Sequence, residues 1–176
     1  MDRPGADPAE PASPLVLRLS RLVLVATVAL FFTMVAFGNV TAPGANWQFV
    51  THVMAMDTTF RDPAIMGRAI TDPTLQRAAY VGIIAWQCLT TVLLWIGVVK
   101  LARAIRGPRR IFMAARSVAI LGLTAGLMLY GIGFLVVAGE WFAMWQSPTW
   151  NGQSKAAIFI LLIGLTLLHL CGSEPD

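Results

Sequence analysis

Four long runs without an Asp, Glu, Lys or Arg divide this chain. They are Leu22 to Val40 (19 residues), Ala78 to Val99 (22), Ser117 to Gly139 (23) and Ala156 to Ser173 (18). Hydrocarbon about 30 Å thick, divided by about 1.5 Å of rise per residue, asks for roughly 20 residues. Each run is therefore long enough to span a bilayer, the last only just. Lipid offers no hydrogen-bond partners, so each run must close its backbone bonds internally, as a helix. With flanking turns, spans are expected at about 19–40, 76–101, 117–138 and 154–171. The pattern predicts an all-α integral membrane protein, with four transmembrane helices in an antiparallel bundle that form one domain over 15–173. The Pro-, Ala- and Asp-rich tail at 1–14 is expected to be a disordered cytoplasmic tail, and 174–176 a short C-terminal one.

Composition agrees with the pattern. Of 176 residues, 57% are hydrophobic and 12% are charged, about half the charged fraction of a soluble domain. The net charge of +4 would suggest nucleic acid only as a patch on a soluble surface. Here the cations sit beside apolar spans, so topology explains them and no nucleic-acid partner is expected. Between Lys100 and Arg116 lie Lys100, Arg103, Arg106, Arg109, Arg110 and Arg116 without one acid, and Arg18 and Arg21 precede the first span. The connector from Thr41 to Arg77 balances Arg61, Arg68 and Arg77 against Asp57, Asp62 and Asp72. The positive-inside rule thus predicts a multi-pass protein of the bacterial cytoplasmic membrane, with both termini cytoplasmic and two neutral connectors facing outward. The first run could alternatively be a signal peptide ending near Ala36-Phe-Gly38, but its apolar core of about 16 residues exceeds most signal cores.

The spans carry little chemistry. None contains an ionisable Asp, Glu, Lys or Arg, which disfavours a proton pump or ion-coupled transporter. Thr27, Thr33, Gln87, Thr90, Thr91, Thr124, Tyr130 and Thr166 read as helix–helix glue, with Gln87 the best buried functional candidate. The third span bears a stripe of small residues: Ala115, Ala119, Gly122, Gly126 and Gly133. Such a stripe lets helix backbones approach closely. Internal packing is the favoured use of Gly122 and Gly126, and a homo-oligomer face the alternative.

The outward connectors hold four of the six tryptophans, as an aromatic belt predicts. In the first, Asn46 is a fair N-cap, and Trp47, Val50, Val53 and Met54 recur at helical spacing, the mark of an amphipathic interfacial helix. Asp62-Pro63 and Asp72-Pro73 are two further helix-start signals, the second expected to open the second span. In the second connector, "GEWFAMWQSPTWNGQ", Gly139 is expected to cap the third helix. Trp141 and Trp145, at i and i+4, would share a helix face, and Ser147-Pro148 marks a break.

Metal and cofactor chemistry finds little support. His52, Met54 and Met56 are soft ligands suited to Cu(I), but a helix brings only His52 and Met56 to one face, so they are weak metal candidates. A haem with two axial histidines is excluded: His52 and His169 are expected roughly 30 Å apart, at opposite faces of the membrane. Cys88 and Cys171 fall at different depths and form no metal cluster. No phosphate-binding loop, GxSxG or HExxH motif occurs. No cofactor is implied, and an enzyme is less expected than a binding protein.

"FVTHVMAMDTTF" (49–60), "RAITDP" (68–73) and "GEWFAMWQSPTWNGQ" (139–153) together resemble a bacterial family of predicted small integral membrane proteins, domain of unknown function 2165. The likeness runs from the first span to the last. It implies a four-helix membrane protein and brings no activity, substrate or catalytic residue with it. It does suggest that the outward motifs are the family's hallmark.

The expected function is a non-enzymatic accessory or assembly subunit that binds a membrane or periplasmic partner through its Trp-rich outward connectors. His52, Asp57, Glu140, Trp141, Trp145, Gln146, Trp150 and Asn151 are the binding candidates, because Trp dominates binding hot spots and the amides add hydrogen bonds. The alternative is a quinone, lipid or metal binder, or a membrane enzyme, with a site between the connectors. Glu140 and Asp57 would be its acid–base pair, since they lie in different connectors on the same side.

Overall fold

A computed structural model describes residues 14–173. Of the tail expected at 1–14, residues 1–13 lie outside the described residues, as do 174–176, and Pro14 opens the first helix. The described residues form helices joined by turns and irregular connectors, with no strand among them. Helix α1 covers Pro14–Thr41, α2 Gly44–Ala55, α3 Pro73–Ala104, α4 Arg109–Met128 and α5 Gln153–Cys171. Helix α4 runs on without interruption as a π-helix, Leu129–Trp141. Four helices are long and apolar enough to cross a membrane: α1, α3, α4 with its π extension, and α5.

Each span starts and stops for local reasons. Asp72 caps α3, where its carboxylate accepts from the backbone N–H of Thr74 at 2.7 Å and of Leu75 at 3.0 Å, while Pro73 fills the first turn. Those two bonds hold the Asp72 carboxyl below its usual range. Asn151 supports the start of α5 by accepting from Gln153 N–H at 3.0 Å.

Packing is internal and close. Lipid gives helices no hydrophobic reason to associate, so contact and interhelical hydrogen bonds must do so. A Cβ placed on Gly97 of α3 would sit 2.7 Å from the Cα of Ala119 of α4, so the two backbones approach as only glycine permits. A Cβ on Gly122 would lie 2.9 Å from Leu94, and one on Gly126 2.9 Å from the Phe32 ring. Both glycines are buried against this chain's own helices. The alternative of a homo-oligomer through Gly122 and Gly126 is corrected accordingly, because their face is already filled. Val25, Val28, Phe32, Leu94, Leu123 and Ile163 form the fully buried centre. Exposed Leu, Ile, Val and Met side chains cover the outside of the bundle, where lipid would meet them.

The polar side chains of the spans are consumed locally. Thr27, Thr33, Thr90, Thr91 and Thr166 each donate to the carbonyl four residues back, at 2.7–2.9 Å. Gln87 accepts from Asn39 Nδ2 at 2.7 Å, and Tyr80 donates to the Asn39 carbonyl at 3.0 Å. Trp86 ties α3 to α4 by donating to Ala125 O at 2.9 Å, and Trp95 ties α3 to α1 through Thr33 Oγ1 at 3.0 Å. Gln87 is buried while Thr124 is exposed on the outer surface, so the two do not line a shared path.

Candidate functional site

The antiparallel bundle sorts its chemistry to two ends. At the basic end, the arginines that precede the first span turn inward. Arg18 donates to Ile105 O at 3.1 Å and Gly107 O at 2.6 Å, in the turn between α3 and α4. Its guanidinium also lies 4.8 Å from the Phe112 ring centre. Arg21, 1% exposed, donates to His169 O at 3.1 Å, Gly172 O at 2.8 Å and Ser173 O at 3.0 Å. Arg116 reaches the same terminus, with Leu170 O at 2.6 Å and Gly172 O at 3.1 Å. A helix end leaves four carbonyls without intrahelical partners and carries partial negative charge. Three guanidiniums here supply the missing donors for α5 and for the α3–α4 turn. Ser20 and His169 add a contact of 2.8 Å between α1 and α5. Cys88 and Cys171 are both free thiols.

At the aromatic end, the two connectors close over the bundle. The apolar face of α2 packs Val50, Val53 and Met54 with Met56, Tyr80, Phe142, Ala143 and Met144 into a second core. Helix α2 begins at Gly44 and not after Asn46, which lies inside its first turn, so the expected N-cap is corrected. Pro43 precedes α2, and its carbonyl accepts from Trp47 N–H at 2.8 Å. The Asp62-Pro63 signal yields only a tight turn, in which Asp62 Oδ1 accepts from Ala64 N–H at 2.9 Å, followed by a 3₁₀ turn at Met66–Arg68.

His52 is the centre of the clasp. Its Nδ1 lies 2.6 Å from Asp57 Oδ2, and its ring stacks on Trp150 at 4.7 Å with a 9° tilt. Around it, Thr58 and Ser147 share a hydroxyl contact of 2.7 Å, and Gln146 Oε1 accepts from Phe60 N–H at 3.0 Å. Ser147 Oγ also accepts from Trp150 N–H at 2.8 Å, which shapes the turn at Pro148. The first connector is thus bound to the second by His52, Thr58 and Phe60, meeting Trp150, Ser147 and Gln146.

Two sequence expectations for the second connector are corrected. Gly139 does not end the third helix, which continues through Trp141 in π form, with Phe142 N–H reaching Val137 O at 3.1 Å. Trp141 and Trp145 do not share a helical face, because Ala143 breaks the chain with φ of 50° before the 3₁₀ turn Met144–Gln146. Trp145 instead meets Phe60 edge-on at 6.0 Å. Trp141 lies under the Arg68 guanidinium at 5.1 Å, and Arg68 donates to the Trp141 carbonyl at 3.4 Å. Trp141 and Trp145 are 54% and 49% exposed, and Phe60 74%.

The remaining candidates fall apart spatially or chemically. Glu140 is exposed, and among the described residues no hydrogen bond or ion pair joins it to Asp57 or Arg61. Asn151 is exposed and spends its side-chain oxygen on Gln153. Met54 and Met56 are buried in the cap core while His52 is partly exposed, and Met56 holds a left-handed φ of 52°. Among the described residues, no three of His, Cys, Asp and Glu cluster to hold a metal ion. Sequence reasoning overlooked Phe60, Arg68 and Thr58. An aromatic residue and an arginine in the connector that also holds Trp47 were the available signal for the first two.

A family model described as a predicted small integral membrane protein, domain of unknown function 2165, matches residues 17–172. This chain belongs to that family. No curated protein and no solved structure matches it. The match to the small integral membrane protein family takes in both the inward-turned arginines from Arg18 onward and the whole aromatic clasp.

Proposed function

We propose that this small integral membrane protein is a non-enzymatic accessory or assembly subunit, and that it binds a membrane or periplasmic protein through the aromatic end. The observation that carries the reading is the exposed trio of Phe60, Trp141 and Trp145, with the half-buried Arg68 beside them, on a cross-braced base. Phe60 and Trp145 pair across the two connectors, and Arg68 covers Trp141. Large aromatic and Arg side chains held in fixed positions lose little freedom on binding and dominate interface energetics. In this reading the basic end faces the cytoplasm of a bacterial inner membrane, by the positive-inside rule.

The test is co-purification from native membranes in mild detergent, comparing the parent with Trp141→Ala/Trp145→Ala. One stoichiometric protein partner, lost in the double variant at unchanged thermal stability, supports the proposal. A lone chain at every expression level overturns it. A quinone, lipid or metal site between the connectors has one observation in its favour: Asp57 Oδ1 is buried without a hydrogen-bond partner. That reading requires a bound small molecule released by Asp57→Asn.

A further inference from the structure

We propose that the groove between α3 and α4 at the basic end is a binding site for an anionic phospholipid. The inference is independent of the partner proposed for the opposite end. The groove has a volume of about 360 Å³ and is lined by Lys100, Arg103, Ala104, Ile111, Ala114 and Ala115. It joins two cations to an apolar furrow.

The cations are free to take an anion. Lys100 and Arg103, three residues apart in the last turns of α3, share one helix face. Both are exposed, and among the described residues no hydrogen bond or ion pair engages either of them. The stretch from Lys100 to Arg116 contains no acid that could neutralise them. Cations in the last turn of a helix normally settle on its own carbonyls. Here Arg18 already occupies the carbonyls of Ile105 and Gly107 just beyond α3. The start of α4 adds positive potential, because Pro108 provides no side-chain cap and the first turn holds no acid.

The furrow selects what carries the anion. Ala104, Ala114 and Ala115 are small, and Ile111 stands 53% exposed beside them. An acyl chain laid along this floor meets apolar side chains while its phosphate meets Lys100 and Arg103. A free phosphate uses only the cations, and a zwitterionic lipid carries its own cation toward them. A glycerophospholipid with a net negative headgroup satisfies both parts, at the depth where basic residues between membrane helices meet headgroups.

Native mass spectrometry of the full chain, delipidated and titrated with phosphatidylglycerol or with phosphatidylcholine of the same acyl chains, tests this. Each basic residue near an anionic headgroup is worth roughly a fivefold change in affinity, so Lys100→Gln/Arg103→Gln should weaken phosphatidylglycerol binding by more than about tenfold. Arg77→Gln, an exposed cation at the other end of α3, should leave it unchanged. Inorganic phosphate at millimolar concentration should not displace the lipid. The charge-preserving Lys100→Arg/Arg103→Lys should bind as the parent does, which separates lost charge from lost fold. Equal binding of phosphatidylcholine, displacement by phosphate, or undiminished binding by Lys100→Gln/Arg103→Gln would overturn the site. So would a peptide or protein mass in place of lipid.

Discussion

At the basic end, three arginines bond backbone carbonyls; at the aromatic end, side chains from two connectors stack and bond on one another. The first arrangement satisfies groups that every helix terminus leaves open, so it is indifferent to which side chains lie at those termini. The second depends on the identity of each partner: His52 with Asp57 and Trp150, Thr58 with Ser147, and Phe60 with Trp145. The basic end buries Arg18, Arg21 and Arg116, with Arg21 nearly inaccessible, and leaves Lys100 and Arg103 exposed beside them. The aromatic end shows its large rings, with Trp141 and Trp145 about half exposed. A rigid end that also presents anchors is suited to recognition, whereas the three arginines turned inward at the other end are suited to holding helices together.

The contrast breaks most readily at Arg21. Arg21→Ala removes the side-chain donor of His169 O and Ser173 O, while Gly172 O keeps Arg116, and should cost about 3 kcal/mol in thermal or denaturant unfolding in detergent. Arg21→Lys should recover less than half of that, because an ammonium cannot reproduce the planar fork. A loss below about 1 kcal/mol would mean that the clamp is ornamental.

Next in size is a pair of glycine substitutions. Gly97→Ala forces the α3 and α4 backbones apart and should cost about 1–3 kcal/mol. Gly139→Ala, at the aromatic end, meets first the movable Gln153 Nε2 at 2.6 Å, and should cost less. Equal losses would show that both ends are packed with the same stiffness.

His52→Ala removes the stack on Trp150 and the partner of Asp57, for about 1–2 kcal/mol. Its distinctive readout is proteolysis of the two connectors at the aromatic end, which should speed up while the spans stay intact. Uniform destabilisation would argue against a separable clasp.

The smallest effect is the pH response of Asp72. Its carboxyl is held below the usual range in the folded state, so its capping contribution is complete above the unfolded value. That contribution is lost as pH falls through the depressed folded one. The stability difference between the parent and Asp72→Asn should therefore shrink in acid and stay constant above pH 5. A difference that persists unchanged into strong acid would contradict the cap.

Much of the bundle was legible because lipid leaves so few options. A run of about 20 apolar residues can only be a helix there, and Asp72-Pro73 marked the start of α3 in plain sequence. Other features had no signal. "LYGIGFLVV" is apolar on every side, so its periodicity cannot separate a helix of 3.6 residues per turn from the wider π form that Leu129–Trp141 adopts. The arginines were read through their number and sign. Which of them would turn inward depended on where α5 ends, a tertiary fact that spacing does not contain. At the clasp, the tryptophans and amides stood out in the sequence as a group. Their pairing was hidden, because Ala143 breaks the helical register that would have put Trp141 beside Trp145.

The central claim is that the aromatic end faces a protein and the outer wall of the bundle faces lipid. A photoreactive amino acid placed at Trp145 and, separately, at Trp95, each exposed but at different levels, measures it directly in living cells. The account predicts one discrete protein adduct from position 145 and only lipid adducts from position 95. Lipid adducts from both positions would reduce the tryptophans to membrane anchors and contradict the account.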